Sequence, residues 1–240
     1  MHLGVVCLHG LGGTPHSVLP ITAAVHAAGY ATVAPTLPGH GTHPDQLVDT
    51  SWTEWLDAAD ATVTELRRRC TAVALIGQSM GGTIALQLAT RRDDIVGVAA
   101  INPVVAPADP DTVEFYEHLI ERGRTMQPAG DADLRDPNAH DTAYAELPVH
   151  ALLQLMHGGE TVAGLAHTIA VPVLLAISAH DNVVDPTSTG DFANSLYAPL
   201  TRVGLPRSGH VAALDLDRDL LCRELLTWLA DLTDGSAAPV

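Results

Sequence analysis

Apolar and polar positions along this chain fall into blocks that switch between two periods. Leu3 to Leu8 is a continuous apolar run, the pattern of a strand buried on both faces, and "HGLGGTP" (9–15) ends it in a Gly-rich turn. Residues 16–29 read as a helix closed by Gly29. "YATVAPTLPGHG" (30–41) reads as a strand that breaks into a Pro/Gly loop. Next, Trp52, Trp55, Leu56, Ala59, Val63 and Leu66 recur at helical spacing, behind a capping box of Ser51 and Glu54. Arg67, Arg68 and Arg69 suit the negative end of that helix.

The same alternation continues. Strands are expected at 71–77, 94–105, 171–181 and 201–206, and helices at 79–90, near 187–198, and at 216–232. In the last helix Leu221, Leu225, Trp228, Leu229 and Leu232 share one face. The tail from Asp234 is expected to fray. Six apolar strands alternating with helices imply an α/β fold: a mostly parallel central sheet covered by helices on both faces, with right-handed crossovers. The rhythm fails only at 106–168, a stretch rich in Asp, Pro and His with no strand signal. That is too long for a plain loop, so it is expected to be a small, mostly helical cap inserted into a single domain spanning 1–240.

Composition narrows the partners. The 240 residues are 47% hydrophobic and 17% charged, which excludes a disordered chain. A formal net charge of −16 opposes phosphate backbones and anionic membrane surfaces, so no nucleic acid partner is expected. No apolar stretch reaches the length of a membrane span, and no signal peptide is visible before the first strand, so a soluble cytoplasmic protein is expected. Cys7, Cys70 and Cys222 lie far apart and are odd in number; a disulfide framework is not expected, and Cys7 and Cys222 read as buried thiols. "HGTH" (40–43) is a histidine pair in a Gly loop and reads as a turn rather than a zinc site.

The chemistry sits in "ALIGQSMGGTIAL" (74–86). Ser79 follows a strand end and opens a helix, where ligands bind in parallel α/β sheets. Strand and helix crowd each other at such a corner, so Gly77 and Gly81 remove the side chains that would clash there. Gly-x-Ser-x-Gly in this context is the nucleophile elbow, with the acid and then the histidine expected later in the chain. Asp181 ends the strand at 171–181 and is the first candidate acid; Asp109, Asp111 and Asp185 are alternatives, Asp185 better suiting a helix start. His210 follows the last strand and is the only one of thirteen histidines after Asp181. The others read as surface or internally satisfied residues. Met80 and Leu11 are expected to offer backbone N–H groups to an oxyanion, and Gly10 lies in the same turn as a substrate contact. Leu152, Leu153, Leu155 and Met156 are candidates to line an apolar acyl groove.

Together "LHGLGGTP", "APTLPGHGTHPDQL", "GQSMGG", "HDNVVDP" and "SGHVAALDLD" resemble the α/β-hydrolase superfamily, and more narrowly small bacterial carboxylesterases and monoacylglycerol lipases. "DLRDPN" and "LLQLMH" extend the likeness into the cap. The resemblance places the catalytic serine, aspartate and histidine on Ser79, Asp181 and His210, and the oxyanion donors on Leu11 and Met80. It implies hydrolysis of a small-molecule ester with an apolar acyl part, with no cofactor, no metal and no integral membrane association. Two departures stand out. In such lipases a cap carboxylate directly follows a tyrosine; here Ala145 follows Tyr144 and Glu146 comes one step later. The antiparallel hairpin that often precedes the first parallel strand is missing, so a small sheet is expected. A thioesterase or lactonase, and a non-hydrolytic binding or cyclase-like protein, are the competing readings.

Overall fold

The computed structural model describes residues 2–130 and 132–235. Six parallel strands form the central sheet: β1 (Leu3–Leu8), β2 (Ala31–Val33), β3 (Ala72–Gln78), β4 (Ile95–Ile101), β7 (Val173–Ser178) and β8 (Leu200–Leu205). Their spatial order is β2-β1-β3-β4-β7-β8. Seven α-helices accompany them: α1 (Leu19–Ala27), α2 (Trp52–Arg67), α3 (Met80–Ala89), α4 (Pro110–Glu121), α5 (Val149–Leu165), α6 (Pro186–Asn194) and α7 (Arg218–Asp234).

The strands are apolar throughout because both faces are covered. Val6, Leu8, Val73, Leu75, Val98 and Leu175 point to a core built with α2, α3, α5 and α6. Their neighbours Val5, Cys7, Ala74, Ile76, Ala99 and Leu174 point to the opposite core, built with α1 and α7. Each fully buried leucine or valine adds roughly 1.5–3 kcal/mol of transfer free energy, so these two layers carry the fold. The apolar stripes of α2 and α7 are buried at every position expected of them. The α2 capping box is formed in both directions, with the Glu54 amide on Ser51 Oγ and the Ser51 amide on the Glu54 carboxylate.

Element boundaries differ where backbone conformation overrides pattern. The helix expected from residue 16 opens as a 3₁₀ turn at Pro15–Val18 before α1 begins. The strand expected to reach residue 105 stops at Ile101, because Asn102 takes φ 45° and Pro103 has no N–H to continue a ladder. α6 ends at Asn194, short of residue 198. Cys222 is only half-buried, while Cys7 and Cys70 are buried; all three are free thiols. The tail is expected to fray from Asp234, but Asp234 still belongs to α7 and Gly235 caps it; 236–240 lie outside the described residues.

One expectation is overturned. The segment 106–168 does contain strands: β5 (Met126–Pro128) and β6 (Glu146–Pro148) form an antiparallel pair. Each is three residues long and ends in proline, too short to show alternation. The pair is closed by bonds from the Ala129 amide to the Ala145 carbonyl and from the Val149 amide to the Thr125 carbonyl. Among the described residues no helix is long and apolar enough to cross a membrane.

Candidate active site

The strand order reverses direction between β1 and β3, and that is where the carboxyl ends of an open parallel sheet leave a crevice. Leu8, the last residue of β1, is in register with Gly77 near the end of β3. The loops leaving these two strands therefore emerge side by side, one carrying Gly10 and Leu11, the other Ser79.

Ser79 holds φ 54° and ψ −123° at the start of α3. Only seven glycines and one other residue, Asn102, share a positive φ among the described residues. A non-glycine residue held there is strained by roughly 1–3 kcal/mol, so the surroundings must enforce it. They do so by close approach. A Cβ on Gly77 would stand 2.2 Å from the Gly81 carbonyl carbon, as the strand-against-helix argument requires. A Cβ on Gly81 would stand 2.3 Å from the Leu8 carbonyl oxygen. The second glycine thus clears the end of the neighbouring strand β1 rather than its own strand β3, which the sequence pattern alone does not reveal.

His210 Nε2 lies 2.9 Å from Ser79 Oγ, and His210 Nδ1 lies 2.8 Å from Asp181 Oδ2. The three residues are separated by 131 and 29 positions along the chain. The side chains of His210 and Asp181 are 9% and 2% exposed. The second Asp181 oxygen accepts hydrogen bonds from the Val183 and Val184 amides, both at 2.8 Å, which fixes the plane of the carboxylate. Two of the three alternative acids do other work: Asp109 caps α4 and Asp185 caps α6, each accepting a bond from a backbone amide of its own helix, while Asp111 lies in the first turn of α4.

Gly10 to Gly13 form a tight turn, closed by the Gly13 amide on the Gly10 carbonyl, with Gly12 at φ 71°. Gly10 passes so near Ser79 that a Cβ there would stand 3.3 Å from the Ser79 Cβ. Met80 is the first residue of α3, where backbone N–H groups have no partner within the helix. The turn is held from both sides. His9, fully buried, donates from Nδ1 to the Gly10 carbonyl and accepts the Leu37 amide on Nε2. On the other side, the Tyr144 amide donates to the Gly12 carbonyl, and the Tyr144 hydroxyl donates to the Gly39 carbonyl.

These bonds require neutral His9. Burial, and then the neighbouring His40 imidazole, push its pKa from 6.5 down to about 4. Burial lowers His40 as well. An unfolded chain would take up a proton near pH 6.5, while the folded chain resists it until about pH 4. Stability therefore falls as pH drops through that window, by about 3 kcal/mol for His9. Urea titrations between pH 7 and 4.5 should show a steep decline that flattens in His9→Asn; parallel slopes for the two proteins would contradict this account.

Ser79 opens into a cavity of about 600 Å³ lined by Val104, Val105, Tyr116, Leu152, Leu155 and Met156, among others. Asp109 and Asp185 are also among its lining residues. Leu153 is not. It faces an adjoining depression with His150, His157 and Glu160, which shares Ala108 and Met156 with the cavity. Residues 152, 155 and 156 share a helical face at spacings of three and four, and residue 153 is turned about 100° away from 152. Glu146 sits exposed on β6, opposite Pro128, and does not line the cavity.

Several groups that hold the site are not singled out by residue type or spacing, although Gln78, Asp133, Asp215 and Asp217 lie within the stretches that carry the family resemblance. Asn102 uses its side chain to join the Ser178 backbone and hydroxyl to the His210 carbonyl. Gln78 accepts the Ala213 amide. Asp217 accepts the Arg207 and Ser208 amides, Asp215 the Gly209 amide, and Asp133 the His210 amide. Four successive amides of the loop carrying His210 thus end on three carboxylates.

Comparison with known proteins fits this arrangement. The family described as serine aminopeptidase, S33, matches residues 2–210. A thermostable monoacylglycerol lipase of Bacillus sp. (strain H-257) is 32% identical over 234 residues, covering 95% of this chain and 90% of that protein. A carboxylesterase of Bacillus subtilis (strain 168) is 24% identical, covering 95% and 92%. Among solved structures, one reported for LipS and LipT, two metagenome-derived lipolytic enzymes, has a TM-score of 0.90 at 26% identity, covering 96% of this chain and 94% of that one. The family match starts at the first strand and ends on the histidine bonded to Ser79. The chain has the α/β-hydrolase fold and belongs to the serine aminopeptidase, S33, family of hydrolases.

Proposed function

We propose that this chain is a serine hydrolase of neutral carboxylic esters with an apolar acyl part. The observation that carries the reading is the unbroken line of hydrogen bonds from Asp181 through His210 to Ser79, opening onto an apolar cavity. A hydroxyl needs a base to become a nucleophile, and the base needs a fixed tautomer; both conditions are met in this line.

In the proposed cycle His210 Nε2 takes the proton of Ser79 as Oγ attacks the ester carbonyl. The negative oxygen of the tetrahedral intermediate faces the Leu11 and Met80 amides, the latter reinforced by the start of α3. Collapse breaks the bond to the alcohol, which leaves with the proton from His210. Water then loses a proton to His210 and attacks the acyl-serine. The carboxylic acid departs and Ser79 recovers its proton. Asp181 keeps the proton of the neutral imidazole on Nδ1 and stabilises the cation that forms.

We read residues 106–168 as a cap on a single domain: α4 and α5 roof the cavity with Thr112, Tyr116, Leu152, Leu155 and Met156. The cavity's described lining carries two carboxylates and no lysine or arginine, in a chain of net charge −16. Thioesters of coenzyme A bring several phosphates and would be repelled, which favours neutral esters over that alternative. The position of Glu146 outside the cavity argues against a leaving group held by a cap carboxylate following Tyr144.

A p-nitrophenyl ester series tests the acyl assignment. Met156→Trp should cut kcat/KM for the longer acyl chains by about 10- to 100-fold and spare acetate, since a blocked apolar subsite is worth roughly 1–3 kcal/mol. Leu153→Trp, outside the cavity's lining, should change the profile far less. Identical chain-length profiles for wild type and Met156→Trp would remove the acyl groove from this cavity.

A further inference from the structure

We infer that Asp133, outside the Ser-His-Asp line, is a positioning residue that fastens the acid-bearing and base-bearing loops to each other. This rests on the hydrolase reading above. Asp133 lies between β5 and β6, in the segment without sequence pattern. One of its carboxylate oxygens accepts both the Asn182 amide at 2.9 Å and the His210 amide at 2.8 Å. The other oxygen accepts the Asn182 side-chain amide at 2.8 Å. Asn182 directly follows Asp181, so one carboxylate bonds the chain beside the acid and the base itself.

The attachment continues along the backbone. The Val211 amide donates to the Asp133 carbonyl at 3.3 Å. Gly209 packs so closely there that a Cβ would stand 2.6 Å from that carbonyl oxygen. Asp215 works in the opposite direction: from the His210 side it accepts the Arg135 and Asp136 amides as well as the Gly209 amide. Two carboxylates, one from each partner, thus lace residues 133–136 to the loop carrying His210.

The electrostatics agree. Burial works against a charge on Asp133, yet the bonds from Asn182 and the His210 amide, with attraction to the His210 imidazole, outweigh it and hold the carboxyl below its usual range. Asp133 is therefore ionised whenever the enzyme works near neutrality. The consequence for geometry is specific. Asp181 and His210 are on different loops, and their 2.8 Å bond survives only while those loops keep their spacing. Ser79 is fixed separately by β3 and α3. Loss of Asp133 should let the imidazole drift from the serine without disturbing the cavity that binds the acyl chain.

The test compares Asp133→Ala, Asp133→Asn and wild type on a short-chain p-nitrophenyl ester. Asp133→Ala should lower kcat about 100-fold with KM changed less than about threefold, the scale of a misplacement near 1 Å. Asp133→Asn keeps an oxygen for the two backbone amides but sets its own NH₂ against that of Asn182, and should lose about tenfold in kcat. A residue that only supports the fold would lower the melting temperature and leave the kcat of folded enzyme alone. If Asp133→Ala does not fold, Asp133→Asn carries the comparison. A kcat within twofold of wild type in the folded variant overturns the inference. Ser79→Ala, run beside them, separates the two ideas: full turnover there sinks the hydrolase reading itself, whereas its loss together with an unaffected Asp133 variant sinks only this one.

Discussion

Ser79→Ala is expected to lower ester turnover by about 10⁵- to 10⁶-fold while leaving the fold in place. The backbone at this corner is set by the glycines at 77 and 81 and by the Ser79 amide bonded to the Ile101 carbonyl, none of which uses the hydroxyl. Removing Oγ therefore deletes the nucleophile and one hydrogen bond to His210, and little else. The variant should keep its melting temperature within a few degrees. A fluorophosphonate should add covalently to one serine of the wild type and to none of the variant, as read by intact mass. Residual turnover would come from the proposed oxyanion donors, the Leu11 and Met80 amides, since such donors in serine hydrolases leave roughly 10³-fold over water. Turnover near the wild-type rate would mean that the hydroxyl is not the nucleophile.

The parts of the site that could be read in the sequence are those in which residue type and strand pattern carry the information. Apolar runs gave the six parallel strands, since a strand covered on both faces must be apolar throughout. Ser79, Asp181 and His210 each follow a strand, so the three lie at the carboxyl end of the sheet once the strands are placed. The missing part is of another kind. Asp133, Asp215 and Asp217 act on backbone amides, and amides look the same in every sequence. Nothing in "ADLRDPN" announces that its first aspartate meets residue 210. β5 and β6 were invisible for a related reason: three-residue strands exist through their pairing, not through their own pattern. Leu153 is different. It lies three positions before Met156, the same offset as Leu152 from Leu155, so helical spacing alone does not exclude it and the packing of the cap had to decide.

Asp181→Asn should cost about 10⁴-fold in kcat, with KM nearly unchanged, although the substitution changes no more than one atom and a charge. The reason lies in the partners of the carboxylate. Oδ1 accepts the Val183 and Val184 amides, and those donors will hold the oxygen of an asparagine in the same place. The NH₂ must then turn toward His210 Nδ1, where Oδ2 stood. Donor facing donor is unfavourable, so the imidazole moves its proton to Nε2 and offers Nδ1 as acceptor. With Nε2 protonated it can no longer take the proton of Ser79, 2.9 Å away. The folded structure, the cavity and the proposed oxyanion amides all remain, which is why binding should persist while chemistry stops. Fluorophosphonate labelling should slow by a similar factor yet still go to completion on Ser79, in contrast to the alanine variant at that residue. Turnover within about tenfold of wild type would show that the Asp181 carboxylate is not what orients the His210 imidazole.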